Sequence, residues 1–304
     1  MIRRFFYLTI LYLLSFFNLS AIEDQLILDK NGKELFNLRF FDEGEKIKLE
    51  DLEEISTYSL NSEEKKAILG AGKYWKDILN TNNSSLSKIF IYTSNVENAS
   101  AYSPNIEDGI AKGMTQLQAK ILGKPFDYTS GEPVALIEIG KMNFKTGVPS
   151  VLPNVVGADL YGTMVHELGH ALGISGTAIF DKDTNQAKFE DIPSIFDKGL
   201  IDNRGRKISE TTGIISYIDN DRNTIGNPNT DFDASGNVYF TGKNVAEVLK
   251  DSSLKGVPIN VRLEGDTPIP ELSHLEMDRG LMSHQPYSNY STFMEAELAV
   301  LQDI

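Results

Sequence analysis

The sequence predicts an α+β fold, with a mixed sheet toward the N-terminus, a central helix that carries paired histidines, and a mainly irregular and helical C-terminal subdomain. Three observations predict it. Apolar Ile68, Ala71, Tyr74, Trp75 and Ile78 recur at helical spacing behind Ser62, Glu63 and Glu64, so 63–79 reads as a helix with an N-cap and an acidic first turn. The runs 88–93 and 134–139 are rich in β-branched and aromatic residues and read as strands. His166-Glu167-Leu168-Gly169-His170 lies in a helix expected from Asp159, its cap, to Leu172, with Gly173 as its stop.

Taken in order, the chain begins with Arg3 and Arg4, a mostly apolar run from Phe5 to Phe17, and Asn18-Leu19-Ser20-Ala21 before it turns acidic at Glu23. At about 1.5 Å per residue the apolar run is roughly 20 Å long, short of the roughly 30 Å hydrocarbon core, so it reads as a signal peptide cleaved after Ala21 rather than a permanent span. Asn31-Gly32 and Glu43-Gly44 then mark one or two hairpins between residues 25 and 49. A further helix is expected over 108–122. A loop with Gly147, Pro149, Pro153 and Gly157 leads into the histidine helix. From 181 to 236 the composition shifts to Asp, Asn, Gly and Lys, and the segment reads as a loop-rich insertion. The clusters at Asp219, Asp221, Asp231 and Asp233 offer oxygen ligands for calcium, but their spacing departs from a calcium loop and a solvated loop accounts for them better. The last helix is expected to turn Phe293, Met294, Leu298 and Leu301 inward.

Composition narrows the function. A chain of 304 residues with 41% hydrophobic content can bury a substantial core. A net charge of −14 argues against nucleic acid or an anionic membrane surface as partner. The absence of cysteine excludes disulfides, thiolate metal ligands and a cysteine nucleophile. Of the residue types present, histidine is the one best suited to binding zinc. The chain has only four, His166, His170, His274 and His284, and two of them stand four residues apart on one helix face with Glu167 between, a zinc-hydrolase signature.

Catalytic zinc takes three protein ligands and leaves a position open for water, so a third ligand must lie elsewhere. The short motif H-E-x-x-H-x-x-G-x-x-H has its glycine at Gly173 but ends on Gly176 instead of histidine. Two candidates remain, Glu190 and His274. Around Glu190, Pro193 and the lack of helical periodicity disfavour the ligand-bearing helix that this spacing would require. His274 is followed eight residues later by Met282, within Leu272-Ser273-His274-Leu275-Glu276 and Gly280-Leu281-Met282.

At this point the sequence resembles the leishmanolysin-like branch of the metzincin metalloproteases, in which a third histidine and a methionine turn follow H-E-x-x-H after a long insertion. Tyr239-Phe240-Thr241-Gly242, Gly256-Val257-Pro258 and the run from Phe293 to Ile304 extend the likeness from about residue 134 to the end. The resemblance implies a zinc endopeptidase acting on proteins or peptides, and the signal-peptide pattern implies export to the medium or cell surface with no membrane span once mature. The resemblance also implies zinc on His166, His170 and His274, Glu167 as the general base toward a zinc-activated water, and Met282 in a turn beneath the ligands, helped by Gly280. His284, Tyr287 and Tyr290 compete for an oxyanion-stabilising role, and His284 reads equally as a surface histidine. Strand 134–139 reads equally as a substrate-pairing edge or a plain core strand. The expected organisation is a signal peptide at 1–21, a segment at 22–60 that reads equally as propeptide or permanent subdomain, and a metzincin-like catalytic domain at 61–304. The competing function is a catalytically silent binding or adhesion module on the same fold, against which the intact Glu167 counts.

Overall fold

In the computed structural model the described residues are 24–49, 52–81, 87–129, 131–141, 144, 146, 159–181, 186–189, 192–202, 205–207, 214–215, 238–264, 267–277, 280–283 and 293–304. The first half runs β1 (Gln25–Leu28), β2 (Glu34–Phe40), β3 (Lys46–Leu49), β4 (Leu52–Ile55), α1 (Ser62–Ile78), β5 (Lys88–Thr93), β6 (Ala99–Tyr102), α2 (Gln116–Leu122), β7 (Ala135–Ile139) and α3 (Leu160–Ala171). Five of these strands form one mixed sheet in the order β1-β2-β5-β7-β6. Within it β2, β5 and β7 run parallel, and the outer strands β1 and β6 are antiparallel to their neighbours.

Burial on both faces explains the near-continuous apolar run of β5. Ile89 and Ile91 point into the main core with Trp75 of α1 and Leu168 of α3. Phe90 and Tyr92 point the other way, into a smaller cluster with Ile47 and Leu49 of the β3–β4 hairpin. Each side chain of this size contributes about 1.5–3 kcal/mol when fully buried. A hydrogen bond from Trp75 Nε1–H to the Val165 carbonyl, 3.2 Å long, ties α1 to α3 through the core.

Several expectations are revised. Asn61 rather than Ser62 caps α1: its side chain accepts from the Glu63 and Glu64 N–H groups while the Glu64 carboxylate accepts the Asn61 N–H. Ser62 could not form such a reciprocal box, because the residue three on is Lys65, which has no acceptor. The helix expected over 108–122 divides into a 3-10 turn, Gly109–Ala111, and α2. Between them Gly113 has φ +84°, and a Cβ there would lie 2.6 Å from the Pro193 carbonyl. Within the segment 22–60, β1 and β2 place Ile27, Leu35, Phe36 and Leu38 in the same core as α1 and α3, an arrangement open to either reading of that segment.

The second half contains β8 (Ala178–Asp181), β9 (Gln186–Phe189), α4 (Ile195–Gly199), β10 (Leu200–Asp202), β11 (Ile214–Ile215), β12 (Val238–Phe240), α5 (Lys243–Val248), β13 (Val257–Glu264), β14 (Thr267–Leu275) and α6 (Glu295–Asp303). The fold is α+β, and among the described residues its C-terminal part carries strands beside the expected irregular and helical stretches. It holds a sheet in the order β10-β12-β13-β14 and a smaller one in the order β11-β9-β8. Pro268 and Pro270 hide β14 from a sequence reading, and they are tolerated there because β14 is the outer strand of its sheet. Within 181–236 the described residues include β9, α4 and β10. Phe196 and Leu200 are fully buried, and the Phe196 ring stacks on Phe240 at 4.9 Å.

On α6 the fully buried side chains are Glu297 and Val300, with Ala296 and Ala299 beside them. Met294, Leu298 and Leu301, expected to face inward, are only partly buried. Asp303 near its end accepts from the Asn244 and Val245 N–H groups and so caps α5. Among the described residues no helix is long and apolar enough to cross a membrane.

Candidate metal centre

The centre is built on α3. Asp159 starts this helix by accepting the Gly162 N–H at 2.9 Å. Leu160, Met164, Val165 and Leu168 are buried against α1 and the sheet, which leaves His166 and His170 together on another face. Gly173, at φ +110°, turns the chain away and donates its N–H to the His170 carbonyl. The following residue, Ile174, places its carbonyl 2.6 Å from His170 Nδ1. The helix stop therefore also orients the second imidazole.

His166 Nδ1 lies 2.6 Å from the Leu281 carbonyl. A carbonyl only accepts, so in both rings Nδ1 carries the proton and Nε2 presents a lone pair. The two lone-pair nitrogens stand 2.9 Å apart. His274, near the end of β14, brings its own Nε2 to 3.2 Å from His170 Nε2. One shared proton would relieve a single contact in this cluster, whereas a cation relieves all of them. Nitrogens bound tetrahedrally at the roughly 2.0–2.1 Å of a zinc–imidazole bond stand about 3.3 Å apart, close to the observed spacing. These three residues could hold a metal ion, and among the described residues they form the one such group.

His274 Nδ1 lies 3.4 Å from Ser273 Oγ and 3.7 Å from a Glu271 carboxylate oxygen, the latter beyond hydrogen-bond length. Gly176, where the short motif would place a histidine, has no room for one. A Cβ there would lie 2.8 Å from the Leu272 carbonyl and 3.0 Å from Asp197 Oδ1.

Glu167 is 5% exposed, and burial pushes its carboxyl up to about 8, offset in part by a hydrogen bond from the Ala101 N–H. A divalent cation beside it would favour the charged form and lower that value. Ala101 belongs to β6, which is the edge of the five-stranded sheet, whereas β7 lies between β5 and β6. Of the two readings of strand 134–139, the core strand is the one observed. Met282 is fully buried and lies against α3 at Gly169, where a Cβ would meet its sulfur at 2.7 Å.

Three contributors were not found from sequence: Ala101, Asp197 and Glu297. Asp197 is nearly fully buried and accepts from Thr177, Ala178 and Ser194, fixing the loop that follows Ile174. Glu297 had a legible signal, since 293, 297, 300 and 304 repeat at helical spacing with one acid among apolar residues. Glu190, His284, Tyr287, Tyr290, the aspartates between 219 and 233 and the signal peptide expected at 1–21 lie outside the described residues. Comparison with protein-family models, curated proteins and solved structures finds no match to this chain.

Proposed function

We propose that the chain is a secreted zinc-dependent endopeptidase of the leishmanolysin-like metzincin type. The observation that carries this reading is the convergence of three Nε2 lone pairs, from His166, His170 and His274, beside a buried carboxylic acid on the same helix. Zinc held by these imidazoles supplies a Lewis acid that acidifies water toward a pKa of about 7 and polarises a carbonyl. Glu167, whose carboxyl is shielded from bulk water, takes a proton from the attacking water and returns it to the departing amine. Substrate adds as an extended chain along the outer edge of β6, whose other edge is paired to β7. Export rests on the signal-peptide pattern of residues 1–21.

The test is digestion of an unfolded protein substrate by the purified chain, with and without a chelator, beside Glu167→Ala. The chelator should abolish cleavage and zinc should restore it. Glu167→Ala should keep its zinc and lose about 10²–10⁴-fold in kcat. Chelator-insensitive cleavage, or a fully active Glu167→Ala, rejects the proposal. Zinc binding without cleavage of any substrate points to the silent module instead.

A further inference from the structure

We propose that Glu297 is a positioning residue for the metal centre, acting through the peptide group between Leu281 and Met282 to hold His166 and, through the same turn, His274. This rests on the metal reading above. Glu297 is fully buried on α6. One carboxylate oxygen accepts the Met282 N–H at 2.6 Å, the other accepts the Met294 N–H at 2.8 Å, and the Leu281 N–H also donates to the group.

The peptide group that gives its N–H to Glu297 is the one whose carbonyl, that of Leu281, accepts His166 Nδ1–H at 2.6 Å. A histidine ligand is commonly oriented by a carboxylate bonded directly to its second nitrogen. Here one peptide group is inserted between them, and the charge on Glu297 polarises the carbonyl that His166 uses. The turn also reaches the third ligand, since the Met282 carbonyl accepts the Leu275 N–H at 3.0 Å, next to His274. Gly280 leaves space for both the carboxylate and the turn: a Cβ there would lie 3.0 Å from Glu297 Oε1 and 3.0 Å from the Met277 carbonyl.

A carboxylate that only held α6 in place would leave the ligands alone, and Asp303 provides that comparison. It lies on the same helix and also accepts backbone N–H groups, those of Asn244 and Val245, yet these belong to α5 and not to the turn.

The experiment measures zinc affinity by chelator competition, and the visible spectrum of the cobalt-substituted protein, for the parent, Glu297→Gln, Gly280→Ala and Asp303→Asn. Glu297→Gln should bind zinc about 10–100-fold more weakly and shift the cobalt bands. Gly280→Ala should do the same in smaller measure. Asp303→Asn should lower the unfolding midpoint and leave affinity and spectrum unchanged. Zinc affinity within twofold of the parent in Glu297→Gln with a superimposable cobalt spectrum overturns the proposal, as does an equal loss of affinity in Asp303→Asn. If Glu297→Gln does not fold, unchanged affinity in Gly280→Ala overturns it. A parent that binds no zinc overturns the metal reading itself, which separates the two failures.

Discussion

Gly169, between the two histidines, is required by its neighbour rather than by the helix it sits in. A methyl there would meet the Met282 sulfur at 2.7 Å, with the Phe293 ring 3.5 Å away, so the buried thioether has little space into which to retreat. Gly169→Ala should therefore cost about 1–3 kcal/mol, read from urea unfolding of the zinc-free protein, although alanine is the better helix former. Burial raises the Glu297 carboxyl above its ordinary 4.5, and hydrogen bonds from Met282, Met294 and Leu281 only partly offset this. A folded pKa above the unfolded one gives stability that is complete below about pH 4.5 and is lost as pH rises through the raised value. Urea midpoints across this range should decline in the parent and decline less steeply in Glu297→Gln, where the raised Glu167 carboxyl still contributes. At this scale the two helical histidines of the candidate centre were legible because i,i+4 spacing alone brings imidazoles together. His274 was legible by weaker signals, the count of only four histidines, the proline beside Glu190 and the family likeness, since nothing local shows a residue folding back 104 positions to meet His170.

Elements were legible where one chemical pattern governs them. β5 has the limits read from its β-branched and aromatic run, and α3 begins at its cap and ends before its glycine as expected. The misses have physical causes. β6 is Ala-Ser-Ala-Tyr, too short and too small in side chain to carry a strand signature, and its pairing with β7 determines it. β14 carries two prolines that only an edge position permits. At the start of α1 two capping residues stand side by side, and the glutamate three positions on selects Asn61. Asn61→Ala should cost about 1 kcal/mol in thermal or urea unfolding, whereas Ser62→Ala should be nearly neutral. Equal losses from the two would show that the reciprocal box contributes little.

Across the whole molecule a single core joins β1 and β2 to the helices and strands around the histidines, with Leu35, Trp75, Leu168, Met282 and Phe293 in one cluster. A chain that starts at residue 61 should consequently lack a cooperative unfolding transition by circular dichroism. A fully active, cooperatively folded truncation would instead make residues 22–60 a removable segment. Long-range ties repeat the pattern: Tyr74 Oη accepts the Phe293 N–H across 219 positions, and His166 meets Leu281 across 115. During synthesis α1 and α3 can pack on the sheet well before the ribosome reaches residue 281, while the imidazole of His166 still has no carbonyl to fix its tautomer. The corner where the three imidazoles meet is thus completed late in synthesis, on a scaffold already in place.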